Sequence, residues 1–365
     1  MPSMRGVLRR HALTAGAGLA AALLLATGRV RAGAAARAID VDLLLVLFAL
    51  LVAVELLRAA GWLDLAVAAT VARFRSTRSF ALALIALSGA LASLVTNDVA
   101  LFVVIPFTVV ASRVTDFDLE DAVILEIVAA NLIGCLTPLG NPQNLFVFHQ
   151  SGWSAAQFVV TMLPFVAAGA AGLLATAFLL GPSRPLVKSA STPPHRDAAV
   201  GVAGALCFVL VLLEIGRVMT AWPAAVAALV CAIFFLRRRA LDVDYSVVPL
   251  FLFAFIIVEG LRGFNVYRFM PRSLYWSSIG LSQVISNVPA TVLLSPLAHA
   301  RWRELLYGAN AGGCGTIIAS LANLLGWRIY QRESGREPRF FARLTALNFA
   351  FLVWIAAAGW LLLRQ

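Results

Sequence analysis

This sequence predicts an all-α polytopic membrane protein, and three observations carry the prediction. Of its 365 residues 61% are hydrophobic and 13% charged, with a mean hydropathy of +0.89, whereas soluble domains carry roughly 25% charged residues. Within that oily background the stretch Ala130–Leu145 reads Ala-Asn-Leu-Ile-Gly-Cys-Leu-Thr-Pro-Leu-Gly-Asn-Pro-Gln-Asn-Leu, setting Pro138 and Pro142 among glycines and amides. The pattern returns at Ala309–Leu324, Ala-Asn-Ala-Gly-Gly-Cys-Gly-Thr-Ile-Ile-Ala-Ser-Leu-Ala-Asn-Leu, with seven identities in sixteen at a constant offset of 179. A spanning helix must satisfy its backbone internally, so prolines among glycines break it. Broken backbone at membrane depth survives only inside protein or beside a water-filled cavity, where the freed groups can hold an ion or substrate.

The formal net charge of +11 does not point to nucleic acid. The basic residues, Lys188 and 28 arginines of the 29, are scattered through short loops between apolar runs, which is the pattern of topology determinants. The four cysteines lie in apolar segments with no Cys-x-x-Cys spacing, so neither a disulfide framework nor a zinc site is expected.

Taken in order, Arg5, Arg9 and Arg10 precede an apolar run from about Leu13 to Thr27. It reads as a first spanning helix, with a signal peptide as the alternative. Val41–Ala59, which contains Glu55, has the length a bilayer demands. After the basic piece Arg73–Arg78, residues Phe80–Ser112 are apolar except for Thr96-Asn97-Asp98. Each arm looks short for a full span, so a re-entrant hairpin with that polar tip is expected. The acidic loop Asp116–Asp121 leads through Glu126 into the first broken stretch, and a span follows at about Phe158–Leu180. Further spans are expected at Ala198–Val218, Trp222–Leu236 and Val247–Leu261. A second interrupted stretch, Leu274–Ala298, carries Ser286-Asn287, and a last span runs over Leu344–Leu363.

The organisation is therefore an N-terminal segment with a first helix (1–37), a first repeat (38–181), a linker (182–197) and a second repeat with an extra helix (198–365). Leu47-Phe48-Ala49 and Val54-Glu55 recur as Leu252-Phe253-Ala254 and Val258-Glu259, and Asn97 and Pro106 match Asn287 and Pro296 at an offset of 190. With the amino terminus inside, the loops Arg73–Arg78, Arg184–Arg196, Arg237–Arg239 and Arg328–Arg343 all fall inside, while Arg29–Arg37 and Arg262–Arg272 do not. Val41–Ala59 then runs inward and Val247–Leu261 outward, so the repeats are inverted. Inverted repeats with discontinuous helices near the midplane are a signature of secondary transporters.

The candidate ligands for substrate or ion are the polar groups of the four breaks. At the tips these are Thr96, Asn97 and Asp98, and Ser286 and Asn287. In the first broken helix they are Asn131, Thr137, Gly140, Asn141 and Asn144, and in the second Asn310, Thr316, Ser320 and Asn323. Amide oxygens suit a cation and amide hydrogens an anion; the plainer reading is a hydrogen bond that holds each tip closed. A carboxylate at membrane depth must be paired, protonatable or ion-bound, which makes Asp98 and Glu126 a possible proton relay, with a membrane-interface position the alternative for Glu126. Glu55 and Glu259 are expected to pair with Arg58 and Arg262, three residues on, and Glu214 with Arg217. Cys135 and Cys314 hold equivalent positions, read as small residues allowing close approach before thiolate ligation of arsenic. His149, His195 and His299 have no ligand-like spacing.

The phrases Thr96-Asn97-Asp98-Val99-Ala100-Leu101-Phe102, Ala130-Asn131 with Thr137-Pro138-Leu139-Gly140-Asn141-Pro142-Gln143-Asn144, and Ser286-Asn287-Val288-Pro289-Ala290 resemble the group of arsenite permeases, NhaD-type sodium/proton antiporters and citrate transporters. That group lies in the ion transporter superfamily, with the dicarboxylate/sodium symporters, and the resemblance covers about residues 38 to 365. It implies an elevator-type homodimer in the bilayer of the plasma (inner) membrane, with a scaffold part and a mobile transport part. Two re-entrant hairpins tipped by Asn97 and Asn287 would meet two broken helices, with no cofactor and with H+ or Na+ as coupling ion, Na+ sitting at the Asn97 and Asn287 tips. Carboxylate symporters usually carry Ser-Asn-Thr at both tips. Here Val288 lacks the hydroxyl, against a two-sodium symporter, and Asp98 adds an ionisable group. The expectation is ion-coupled transport of a small anion or oxyanion of the arsenite type, then sodium/proton antiport, then a citrate or dicarboxylate carrier. An intramembrane enzyme is disfavoured, because neither His-Glu-x-x-His nor Gly-x-Ser-x-Gly occurs.

Overall fold

The structure, a computed structural model, describes residues 4–179, 183–187, 197–215, 218–243, 245–261, 273–334 and 338–365. Among these the chain forms seventeen α-helices and no strand, apart from an isolated bridge between Ser76 and Pro185. The first nine are α1 (Met4–Ala26), α2 (Ala32–Ala38), α3 (Val41–Ala59), α4 (Trp62–Val71), α5 (Thr77–Leu94), α6 (Asn97–Val114), α7 (Leu119–Leu132), α8 (Pro142–Ser151) and α9 (Ala155–Leu179). Then come α10 (Ala198–Ile215), α11 (Ala221–Cys231), α12 (Val247–Leu261), α13 (Leu274–Ile285) and α14 (Asn287–Leu294). The chain closes with α15 (Trp302–Gly312), α16 (Leu321–Ser334) and α17 (Pro338–Leu363). Among the described residues four helices are individually long and apolar enough to cross a membrane: α5, α6, α9 and α17.

The chain divides into two compact units, each drawn from both halves of the sequence. One comprises Met1–Gly61 with Arg196–Phe269, the other Trp62–His195 with Met270–Gln365. In the first unit α3 packs against α10 and α11, and α1 against α12. Gly204 permits the α3–α10 approach, since a Cβ there would stand 2.9 Å from that of Leu56. Asp40 caps α3 by accepting the Leu43 amide at 3.0 Å, and Glu55 pairs with Arg58 at 3.8 Å as expected from their spacing. The expected pairs Glu259–Arg262 and Glu214–Arg217 each have one member outside the described residues, as do His195 and most of the linker. The run Trp222–Leu236 is not one α-helix: it is α11 followed by a π turn at Ala232–Leu236. A short helix, α4, follows Gly61 where the sequence suggested none.

The second unit holds every break. α5 and α6 pack on each other around the break at Val95–Thr96, forming the first hairpin. Its arms are not short: each has 18 residues, because Ser76 caps α5 ahead of the apolar run by accepting the Ser79 amide and α6 continues through Pro106. The second hairpin, α13 and α14, has the expected short arms of 12 and 8 residues and ends in a 3-10 turn. α7 and α8 are the two pieces of the first broken helix, and α15 and α16 those of the second. Packing crosses between them. α6 lies along α16, and α14 lies against α8. Gly326 allows α16 to seat on α7, since a Cβ there would collide with Ile127.

Candidate functional site

Local chemistry sets the four breaks. α7 starts on Asp118, which accepts the Asp121 amide at 3.1 Å, and it stops where Gly134, Pro138 and Gly140 leave no continuous ladder. Gly140 is obligatory, because a Cβ there would run into the Gly134 carbonyl oxygen. Pro142 stands at the first turn of α8, whose missing N–H costs nothing there. α6 starts on Thr96, which accepts the Val99 amide at 3.3 Å. The second tip turns on Ser286, a serine held in the left-handed region at φ +74°. Gly315, at φ +109°, turns the second loop beside Gln283.

Each hairpin tip is bonded to the loop of a broken helix by the same pair of contacts. The Asn97 amide donates to the Gly140 carbonyl at 2.9 Å, and the Asn287 amide to the Ala319 carbonyl at 2.8 Å. Thr137 Oγ1 donates to the Ser93 carbonyl at 2.5 Å, and Thr316 Oγ1 to the Gln283 carbonyl at 2.9 Å. The positions correspond at the sequence offsets of 190 for the tips and 179 for the loops.

Between the loops, four asparagines tie the two broken helices together crosswise. Asn131 Nδ2 donates to Asn323 Oδ1 at 2.8 Å, and Asn310 Nδ2 to Asn144 Oδ1 at 2.8 Å. The outer member of each pair then closes its own loop. Asn323 Nδ2 reaches the Gly313 and Thr316 carbonyls, and Asn144 Nδ2 the Cys135 and Thr137 carbonyls. Asn131 Oδ1 accepts from Asn97 Nδ2 at 3.1 Å and Ser320 Oγ at 3.0 Å. Asn310 Oδ1 accepts from Asn141 Nδ2 at 3.3 Å and Gln143 Nε2 at 3.1 Å. All four asparagines are at most 3% exposed.

The structure thus gathers Asn97, Asn131, Ser320 and Asn323 into one cluster and Asn141, Asn144 and Asn310 into another, each spanning the two broken helices through one of the crossed bonds. Thr137, Thr316 and Gly140 brace the loops, Thr96 caps α6, and Ser286 Oγ lies 3.5 Å from Asn287 Oδ1. Asp98 sits in the first turn of α6, 4% exposed, with Oδ1 lacking a hydrogen-bond partner. Glu126 is in α7, whose other residues from Asp121 to Leu132 are buried with it. It is fully buried, Thr108 Oγ1 donates to its Oε1 at 2.5 Å, and Oε2 has no partner. Two residues escaped the sequence reading, Gln143 and Gln283. The Gln283 side chain donates to the Gly312 and Cys314 carbonyls and accepts the Thr316 amide. Its signal was its place three residues before a tip, where the first copy has Ser93. Cys135 and Cys314 are buried free thiols, His149 and His299 are exposed, and no metal-holding group of His, Cys, Asp and Glu occurs among the described residues.

Compared with known proteins, the chain matches the model of the citrate transporter family over residues 6–301, most of its length. The chain belongs to the citrate transporter family. It is 36% identical over 295 residues to an uncharacterized transporter of Methanocaldococcus jannaschii, covering 78% of this chain and 79% of that one. It is 31% identical over 338 residues to the inner membrane protein YbiR of Escherichia coli, covering 89% and 88%. A 46 kDa membrane protein of Mycobacterium leprae is 23% identical over 372 residues, 88% and 85% of the two chains. Membership of a carrier family, with helices of spanning length, makes this an integral membrane protein that moves solute rather than an enzyme.

Proposed function

We propose that the protein is an ion-coupled secondary transporter of a small anion or oxyanion, working by alternating access at the crossed asparagine clusters. The observation that carries this reading is the pair of crossed amide bonds between two broken helices, each also bonded to a hairpin tip. Broken, buried, polar backbone inside an apolar unit is the architecture of a solute site. The recurrence of the same bonds at the offsets 179 and 190 supports two structural repeats, which positive-inside arginines orient in opposite senses with the amino terminus cytoplasmic. The unit that contains all four breaks fits the mobile transport part expected from the resemblance, and the unit around α3 and α12 the scaffold part of a homodimer. The inner membrane is the location that the name of the Escherichia coli relative favours.

Coupling falls to Asp98, a buried carboxyl at the start of α6 with an unpartnered oxygen; at membrane depth such a group exchanges a proton or binds a cation. Among the anions, the family's description favours citrate; sodium/proton antiport is the second reading, supported by the same Asp98. The test is flux into proteoliposomes with and without a proton or sodium gradient, preceded by a thermal-shift screen against arsenite, sodium, sulfate and dicarboxylates. Asp98→Asn is expected to keep the fold and lose pH- or sodium-dependent flux; unchanged flux would remove Asp98 from the coupling role.

A further inference from the structure

The two half-sites obey the same plan but leave different groups free. At the first tip both ends of the Asn97 amide are engaged: Nδ2 donates to Asn131 Oδ1 at 3.1 Å, and Oδ1 accepts the Asp98 amide at 2.9 Å. What remains unpartnered there is an oxygen, Asp98 Oδ1. Symmetry would have the Asn287 amide donate to Asn310 Oδ1 at the second tip. It does not, because Gln143 Nε2 occupies that acceptor at 3.1 Å, alongside Asn141 Nδ2 at 3.3 Å. The residue corresponding to Gln143 in the second copy is Ala322, which has nothing to donate.

Displaced in this way, Asn287 is 3% exposed, and its Nδ2 makes no hydrogen bond among the described residues. The nitrogen lies beside Gly313, 2.9 Å from where a Cβ would stand, so the missing side chain gives it room. α14, which starts at Asn287, packs on α8, which starts next to Gln143. An amide N–H with no partner is a poor place for a cation and a good one for an anion, and a bare carboxylate oxygen is the reverse; the unpartnered oxygen of the second half, Asn141 Oδ1, is a neutral amide acceptor and not a carboxylate.

We propose that Gln143 divides the labour between the half-sites: by taking Asn310 Oδ1 it frees the Asn287 amide to donate to the anionic solute, leaving the Asn97–Asp98 half to the coupling cation. Gln143 is thus a positioning residue that sets which half recognises the anion. The inference rests on the anion-transport reading and narrows the cation to the first tip.

The experiment measures binding of citrate and of sulfate to the purified full-length protein in nanodiscs by titration calorimetry, with protection by sodium against thermal unfolding as a second readout. Gln143→Leu keeps the side-chain bulk, removes the donor, and lets Asn287 pair with Asn310. Its anion Kd is expected to rise about tenfold, the scale of one hydrogen bond to a charged group, with sodium protection retained. Asn287→Asp is expected to lose anion binding, and the double variant to bind no more weakly than Asn287→Asp alone, because Gln143 acts through Asn287. Should Gln143→Leu not fold, Asn287→Asp with retained sodium protection carries the test. Wild-type anion affinity in Gln143→Leu or in Asn287→Asp, or loss of sodium protection with retained anion binding, would overturn the division of labour alone. A wild-type protein that binds neither anion would overturn the anion reading itself, and this inference with it.

Discussion

Gly140 shows how tightly single residues are constrained. The first loop folds so closely on itself that a methyl at Gly140 would meet the Gly134 carbonyl. Gly140→Ala is expected to destabilise the protein by about 2 kcal/mol, as overpacking does, read as a lower midpoint in scanning fluorimetry. Gly280, on an exposed face of α13 with nothing within 4 Å of a Cβ, is the control. Gly280→Ala is expected to be neutral or up to about 1 kcal/mol stabilising, the helix-propensity gain. Glu126 makes a second case. Among the described residues its one hydrogen bond from a side chain is from Thr108, so Thr108→Val is expected to cost about 1–3 kcal/mol by orphaning a buried acceptor; an unchanged melting curve would show that Glu126 has another partner.

At the scale of elements, the breaks were legible because Pro, Gly and Asn stand out in an oily chain and recur at fixed offsets. The arms of the first hairpin were misjudged because hydropathy shows only the apolar run, whereas Ser76 begins α5 before it. The crossed pairing of Asn131 with Asn323 and of Asn144 with Asn310 was not legible, since each bond joins residues more than 160 positions apart and only packing brings them together. Gln143 and Gln283 escaped for the same reason: a glutamine beside a break looks like any other until its partners are known. The pairing makes a prediction about stiffness. Thr316→Val removes the bond from the second loop to the Gln283 carbonyl, and is expected to raise deuterium exchange over residues 312–320 several-fold while leaving 134–141 unchanged. Equal exchange in both loops would mean that the loop is held by its other bonds.

For the whole molecule, composition made the membrane class accessible from sequence, and the motifs at the tips and broken helices made the carrier family so. The division into two compact units was not, because each unit takes helices from both halves of the chain: α3 and α12 share one, and all four breaks share the other. Such a division follows from what each segment can bury. Helices apolar along their length pack on one another, whereas broken helices need partners that supply donors and acceptors. The central claim is that the crossed asparagines form a solute site driven by an ion gradient. Its most direct test is uptake of labelled citrate into proteoliposomes under an imposed proton or sodium gradient, comparing the wild-type protein with Asn131→Ala, which removes the acceptor for Asn97 and Ser320 and the donor to Asn323. The account expects accumulation above equilibrium that vanishes when the gradient is collapsed and falls at least tenfold in the folded variant. Gradient-independent equilibration, or wild-type accumulation by Asn131→Ala, would contradict it.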